Sequence, residues 1–173
     1  MLNILRRNAP EARLARTLYE QINAAARQPV FFSELAVEDT VDGRFDILAL
    51  HAWLTFGRLS AAGMEAVARK LNETIYIAFD EALRDLGNGD MGMGPRMKKL
   101  GLALNGRLHA YEAAKGENEM AEAILRNIYR GREDMARNAK ILSRYAFSAR
   151  EYLKLSNPAN GTLDFGTLNP TSA

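Results

Sequence analysis

The chain contains no cysteine and only two histidines among its 173 residues. The first absence excludes disulfides and thiolate metal sites, and it fits a reducing compartment. The second leaves too few imidazoles for a histidine-built metal centre, so no metal site and no cofactor are expected. No run reaches the roughly 18 apolar residues of a membrane span. No charged-then-apolar segment with a small-residue cleavage site opens the chain, so a cytoplasmic protein is expected. Strands of alternating polarity and internal repeats are also missing. An excess of one charge is lacking too. The formal net charge is +2, so the pI near 9.0 overstates how basic the chain is, and DNA is not an expected partner. A chain of this length forms one domain and buries roughly two thirds of its unfolded surface without staples.

What is present is helical periodicity, most of it arranged around the stretch from Ala36 to Leu59. Asp39, Thr40 and Asp42 are side chains that bond free backbone N–H groups at a helix start, and their acids suit the positive end of its dipole. Gly43 fits the entering turn better than a helix body. A helix is predicted from near Asp42 to near Ser60, ending in a joint at Ala61, Ala62 and Gly63. On a helical wheel Arg44, His51, Thr55 and Arg58 share one narrow stripe. Almost everything else is apolar: Phe45, Ile47, Leu48, Leu50, Trp53, Leu54, Phe56 and Leu59. A helix apolar on most sides is buried among neighbours, so this is the central helix of a bundle. The stripe has two readings. Either Arg44 and Arg58 reach solvent at the ends while His51 is a satisfied core histidine, or Arg44, His51 and the aspartates form a buried polar network.

The remaining segments supply the other helices. Pro10 starts an amphipathic helix that runs to Arg27 and is rich in arginine; it packs on the bundle or lies on anionic lipid. Residues 28–37, with Phe31 and Phe32, form a loop containing a short helical turn. Met64–Leu86 is amphipathic, with Val67, Leu71, Ile75, Phe79 and Ala82 on its inward face. Four glycines between Gly87 and Gly94 exclude regular structure there, and helix resumes at Pro95. From Met91 to Tyr111 there is no acid, while Arg96, Lys98, Lys99 and Arg107 are basic. Glu119–Tyr129 forms a short helix and Glu133–Leu155 a long one on Ala139, Leu142, Ala146, Ala149 and Leu153. The architecture is an all-α, single-domain bundle of five to seven helices (residues 1–155), with an irregular, mostly exposed tail (156–173) rich in turn formers.

Enzyme motifs fit poorly. The glycine stretch follows a helix and lacks GK[ST], so it is not a phosphate-binding loop. Asp80, Glu81 and Asp85 are an acidic helix end, and the chain is too short to face them across a deep magnesium-diphosphate cavity. No Ser–His–Asp or Cys–His arrangement occurs.

Two motifs carry a resemblance. EDTVDGRFDILALH, from Glu38 to His51, and FDEALRDLGNGDMGMGPRMKKLGLALNGRLHAYEAA, from Phe79 to Ala114, with the order, separation and helix between them, resemble the ubiquinol–cytochrome c chaperone family. The resemblance covers roughly Leu18 to Tyr145. Pro95, where the family typically has a basic residue, and Asn105, where it often has an aromatic, depart from the pattern. The resemblance implies a non-enzymatic assembly factor that binds newly synthesised cytochrome b and assists assembly of the cytochrome bc1 complex. It also implies a small partner assembly protein and contact with the ribosome, as in mitochondrial members. The core begins almost at once, without a targeting extension, so a bacterial member is expected, with peripheral contact at the inner membrane left open.

A receptor for a membrane protein in water needs an apolar surface with a polar rim. Phe31, Phe32, Asp90, Arg96, Lys98, Lys99 and Arg107 are the candidates for it. Asp39, Thr40, Asp42, Gly43, Arg44, Asp46 and His51 read as structural signature residues. Two other functions stay open: a membrane-surface module acting through the basic N-terminal helix, and a small magnesium-dependent helical enzyme using Asp80, Asp85 and Asp90.

Overall fold

The computed structural model describes residues 10–85 and 90–170, the side chains of residues 90 and 91 excepted. All regular structure among them is helical: α1 (Pro10–Ala26), α2 (Val30–Ser33), α3 (Val41–Ala61), α4 (Glu65–Asp85), α5 (Asp90–Ala113), α6 (Glu117–Asn127) and α7 (Ala136–Leu155), with 3-10 turns at Glu133–Met135 and Pro158–Asn160.

Helix α3 is the central rod that its composition predicts. Residues Ile47–Thr55 are buried without interruption, and the helix packs against α1, α4, α5 and α7. Its start is set by Thr40, whose Oγ1 accepts from Gly43 N at 3.1 Å. Gly43 is obligatory there, because an ideal Cβ would stand 1.9 Å from the Glu38 carbonyl oxygen. At the other end Gly63 adopts φ 67°, and Met64 N returns to Leu59 O at 2.9 Å. That left-handed turn stops α3 and aims α4 back along it.

Around the rod, α1 contributes Ala15, Leu18, Ile22, Ala25 and Ala26 to the core. Helix α4 contributes Val67, Leu71 and Ile75, but Ala82 is exposed, so its inward face ends earlier than the spacing predicts. Helices α6 and α7 form an antiparallel pair, and the predicted seam of α7 is buried from Ala139 to Leu153. The first three residues of that predicted helix, Glu133–Met135, form a 3-10 turn instead.

Two expectations are overturned. Helix α5 begins at Asp90, through Gly92 and Gly94, and carries Pro95 inside it. Met93, 6 % exposed, anchors this first stretch, and tertiary burial outweighs the low helix propensity of glycine. The tail is irregular but not mostly exposed: Ser156, Pro158, Leu163 and Phe165 are buried. Gln21 of α1 holds it, donating to Gly161 O and accepting from Leu163 N at 2.9 Å.

Candidate partner surface and the polar core beneath it

The acids before α3 do different jobs. Thr40 is the cap. Asp39 lies outside the helix and pairs with Arg44 at 2.7 Å, an exposed bond that lowers the Asp39 carboxyl below its ordinary range. Asp42 is an exposed first-turn residue rather than a cap, and its charge only complements the helix dipole.

Asp46 is fully buried. Arg107 of α5 donates through Nε to Oδ1 at 2.6 Å, and Arg130 places Nη2 2.7 Å from Oδ2, close enough for an ion pair but outside hydrogen-bond geometry. Arg130 follows α6 with φ 57°, and the turn it makes with Gly131 (φ 76°) turns the chain from α6 toward α7. Burial raises the Asp46 carboxyl above its ordinary value, while the two guanidiniums oppose that rise. The Tyr111 hydroxyl is buried nearby with no hydrogen-bond partner among the described residues, and burial, then the Asp46 charge, push it up. Three helical elements are thus registered on one carboxylate.

His51 is a satisfied core histidine. Its Nδ1–H donates to Ile47 O at 2.8 Å, which leaves Nε2 to accept the Tyr145 hydroxyl at 2.8 Å. Phe31, Tyr145 and Phe165 surround the ring, and burial lowers its pKa to about 4, so it is neutral. Arg58 does not end in solvent as expected. It caps the end of α7, donating to Leu153 O at 2.7 Å and Ser156 O at 2.9 Å.

The candidate surface residues therefore separate. Phe31 is 0 % exposed, edge-on to His51 and Tyr145, and its burial leaves nothing for a partner to touch. Arg107 is turned inward onto Asp46 and over the Phe45 ring, its side chain only 15 % exposed, so it is a core counter-ion rather than a rim cation. Phe32 is half-buried and lines a groove of about 640 Å³ with Arg27, Pro29, Ser33, Asp39 and Arg44. Lys98 and Lys99 are exposed on the outer side of α5, and Arg96 is exposed on its flank, one turn before Lys99. The Asp90 side chain lies outside the described residues. Beside the lysines stands Leu102, 65 % exposed, which the sequence reading placed on no surface. Its signal was there: one turn after Lys98, it falls on the same face.

No group of three or more His, Cys, Asp or Glu able to hold a metal occurs among the described residues, and none of their helices is long and apolar enough to cross a membrane.

A model of the ubiquinol-cytochrome C chaperone family matches residues 33–159, most of the chain. The chain belongs to this family. The family's match begins in α2 and ends at the 3-10 turn of the tail, so it takes in both the Asp46 cluster and the α5 face. Comparison with curated proteins gave no match. Among solved structures, the crystal structure of the Cbp3 homolog from Brucella abortus is similar over 96 % of this chain and 97 % of that one, with 32 % identity and a TM-score of 0.81. The structural likeness therefore extends beyond the residues that the family model matches, into α1 and the tail.

Proposed function

We propose that this protein is a non-enzymatic assembly factor that binds newly synthesised cytochrome b and assists assembly of the cytochrome bc1 complex. The observation that carries the reading is membership of the ubiquinol–cytochrome c chaperone family, supported by the near full-length likeness to the Brucella Cbp3 homolog. The physical picture agrees with it. A rigid core registered on Asp46 supports two outward features, the Phe32 groove and the α5 face with Arg96, Lys98, Lys99 and Leu102. These are the partner-facing surfaces. A small assembly protein and the ribosome are further partners in this reading.

Purification of tagged protein from cross-linked cells, followed by identification of what accompanies it, tests the client. Cytochrome b is expected in the eluate, and deletion of the gene should lower assembled bc1 complex. An eluate without cytochrome b and a normal level of the complex would reject the reading.

The reading through an N-terminal lipid-binding helix has less support. The apolar face of α1 is buried against α3 and α4, which leaves only its polar side outward. The magnesium-enzyme reading also lacks support, since Asp80 is paired with Arg84 at 2.8 Å.

A further inference from the structure

Several bases of the described surface are answered by a nearby acid. Arg44 meets Asp39, Lys70 meets Glu73, Arg84 meets Asp80, Arg132 meets Asp134 and Lys154 meets Glu151. The bases on the outer face of α5 are not among them. No ion pair among the described residues joins Arg96, Lys98 or Lys99, and no acid follows in the helix until Glu112, which accepts the Trp53 indole N–H at 2.9 Å. Of the acids of α4, Asp80 is paired within its own helix, and Glu81 lines the groove shared with α1. In the middle of this positive face Leu102 holds out an aliphatic side chain that is 65 % exposed.

The shape of the face narrows the partner. None of the cavities among the described residues named above or lined by α1 and α4 includes Arg96, Lys98, Lys99 or Leu102. Tyr111, the one Phe, Trp or Tyr of α5, is fully buried, so none of these rings is offered on this face. A convex helix face with cations flanking an exposed aliphatic side chain is complementary to a flat, negatively charged layer with an apolar interior. We propose that this face docks the protein on an anionic phospholipid bilayer, with the basic side chains among headgroups and Leu102 inserted at the acyl boundary. The inference rests on the chaperone reading only for its purpose, since a client embedded in the bilayer must be met at its surface.

The test uses the full chain and flotation with vesicles of mixed phosphatidylglycerol and phosphatidylcholine, or of phosphatidylcholine alone. Wild-type protein is expected to float with the anionic vesicles at low salt, less at high salt, and not with the neutral ones. Lys98→Glu with Lys99→Glu should weaken partitioning by at least about tenfold. Leu102→Ser should weaken it several-fold, and Arg13→Glu with Arg16→Glu on α1 should leave it unchanged. All substituted positions are exposed or half-exposed, and circular dichroism verifies that each variant is folded.

Equal flotation of the lysine variant, flotation with both vesicle types alike, no flotation at all, or loss through the α1 pair instead would overturn the proposal. So would lysine-dependent binding to RNA or to an acidic peptide without vesicle binding. Recovery of cytochrome b in detergent, scored separately, keeps the two readings apart. Vesicle binding without the client sinks the chaperone reading alone, and client recovery without vesicle binding sinks this one.

Discussion

The Tyr145 hydroxyl donates to Nε2 of His51 at 2.8 Å, and this bond ties α7 to the central helix through the middle of the core. Because Nδ1–H is already bonded to Ile47 O, the geometry serves only the neutral ring. The ring's pKa falls from 6.5 to about 4 on folding, and the cause is burial. The unfolded chain therefore takes up a proton first as pH drops. Stability from this group is complete above pH 6.5 and is lost as pH falls toward 4, by roughly 3 kcal/mol. Urea denaturation of wild type and His51→Gln at pH 7, 5.5 and 4.5 checks it. The variant should be less stable at pH 7, and the gap should close with acid; a constant gap would contradict the assignment.

The Asp46 cluster makes a second expectation. Asp46→Ala strands Arg107, most of whose side chain is shielded, and should cost about 3 kcal/mol. Replacing Asp46 with Leu and Arg107 with Met together should recover much of that loss, since burial opposes the ionised carboxylate in the first place. Tyr111→Phe removes a hydroxyl that bonds nothing and should change stability by less than about 0.5 kcal/mol. Chemical denaturation of the single and double variants measures each value. A Tyr111→Phe loss above about 1 kcal/mol would mean that the hydroxyl has a partner.

At the start of α3 the three candidate residues should separate. Thr40→Ala removes the cap and should cost about 1 kcal/mol. Asp42→Ala removes only a favourable charge near the dipole and should cost a few tenths, about 0.3 kcal/mol. Gly43→Ala should be the worst of the three, because its Cβ would collide with the Glu38 carbonyl, which is backbone and must move. Thermal melts give the order. Asp42→Ala falling as far as Thr40→Ala would restore Asp42 as the cap.

The central helix was legible because its evidence is local: apolar residues on most of its circumference can only be buried. Asp46 was harder. Its partners stand 61 and 84 positions away, and no periodicity links them. The available signal was the residue itself, a carboxylate with apolar neighbours on both sides (Phe45 and Ile47), which requires a cation. Arg107 was sorted with the surface lysines on charge alone, whereas its position on the wheel puts it near Tyr111, on the inward side of α5. Helix across Gly92, Gly94 and Pro95 was illegible for the opposite reason. Propensity argued against it, and the burial of Met93 that sustains it is a tertiary fact.

The tail supplies the last expectation. Leu163 and Phe165 are buried, while Thr162 and Asp164 between and before them are exposed, the in-and-out alternation of an extended segment. The stretch is short, lies among turn formers and so read as solvent-exposed. Yet the Phe165 ring centroid is 5.0 Å from that of His51, closing one side of its pocket. Phe165→Ala should cost about 3 kcal/mol through lost burial and the cavity left behind. It should also admit water to the imidazole and move the His51 pKa from about 4 back toward 6.5. NMR titration of the His51 resonance reads this directly. If the His51 resonance in Phe165→Ala still titrates near pH 4 in a folded protein, the tail does not seal the site, and its burial there is incidental to the state of the ring.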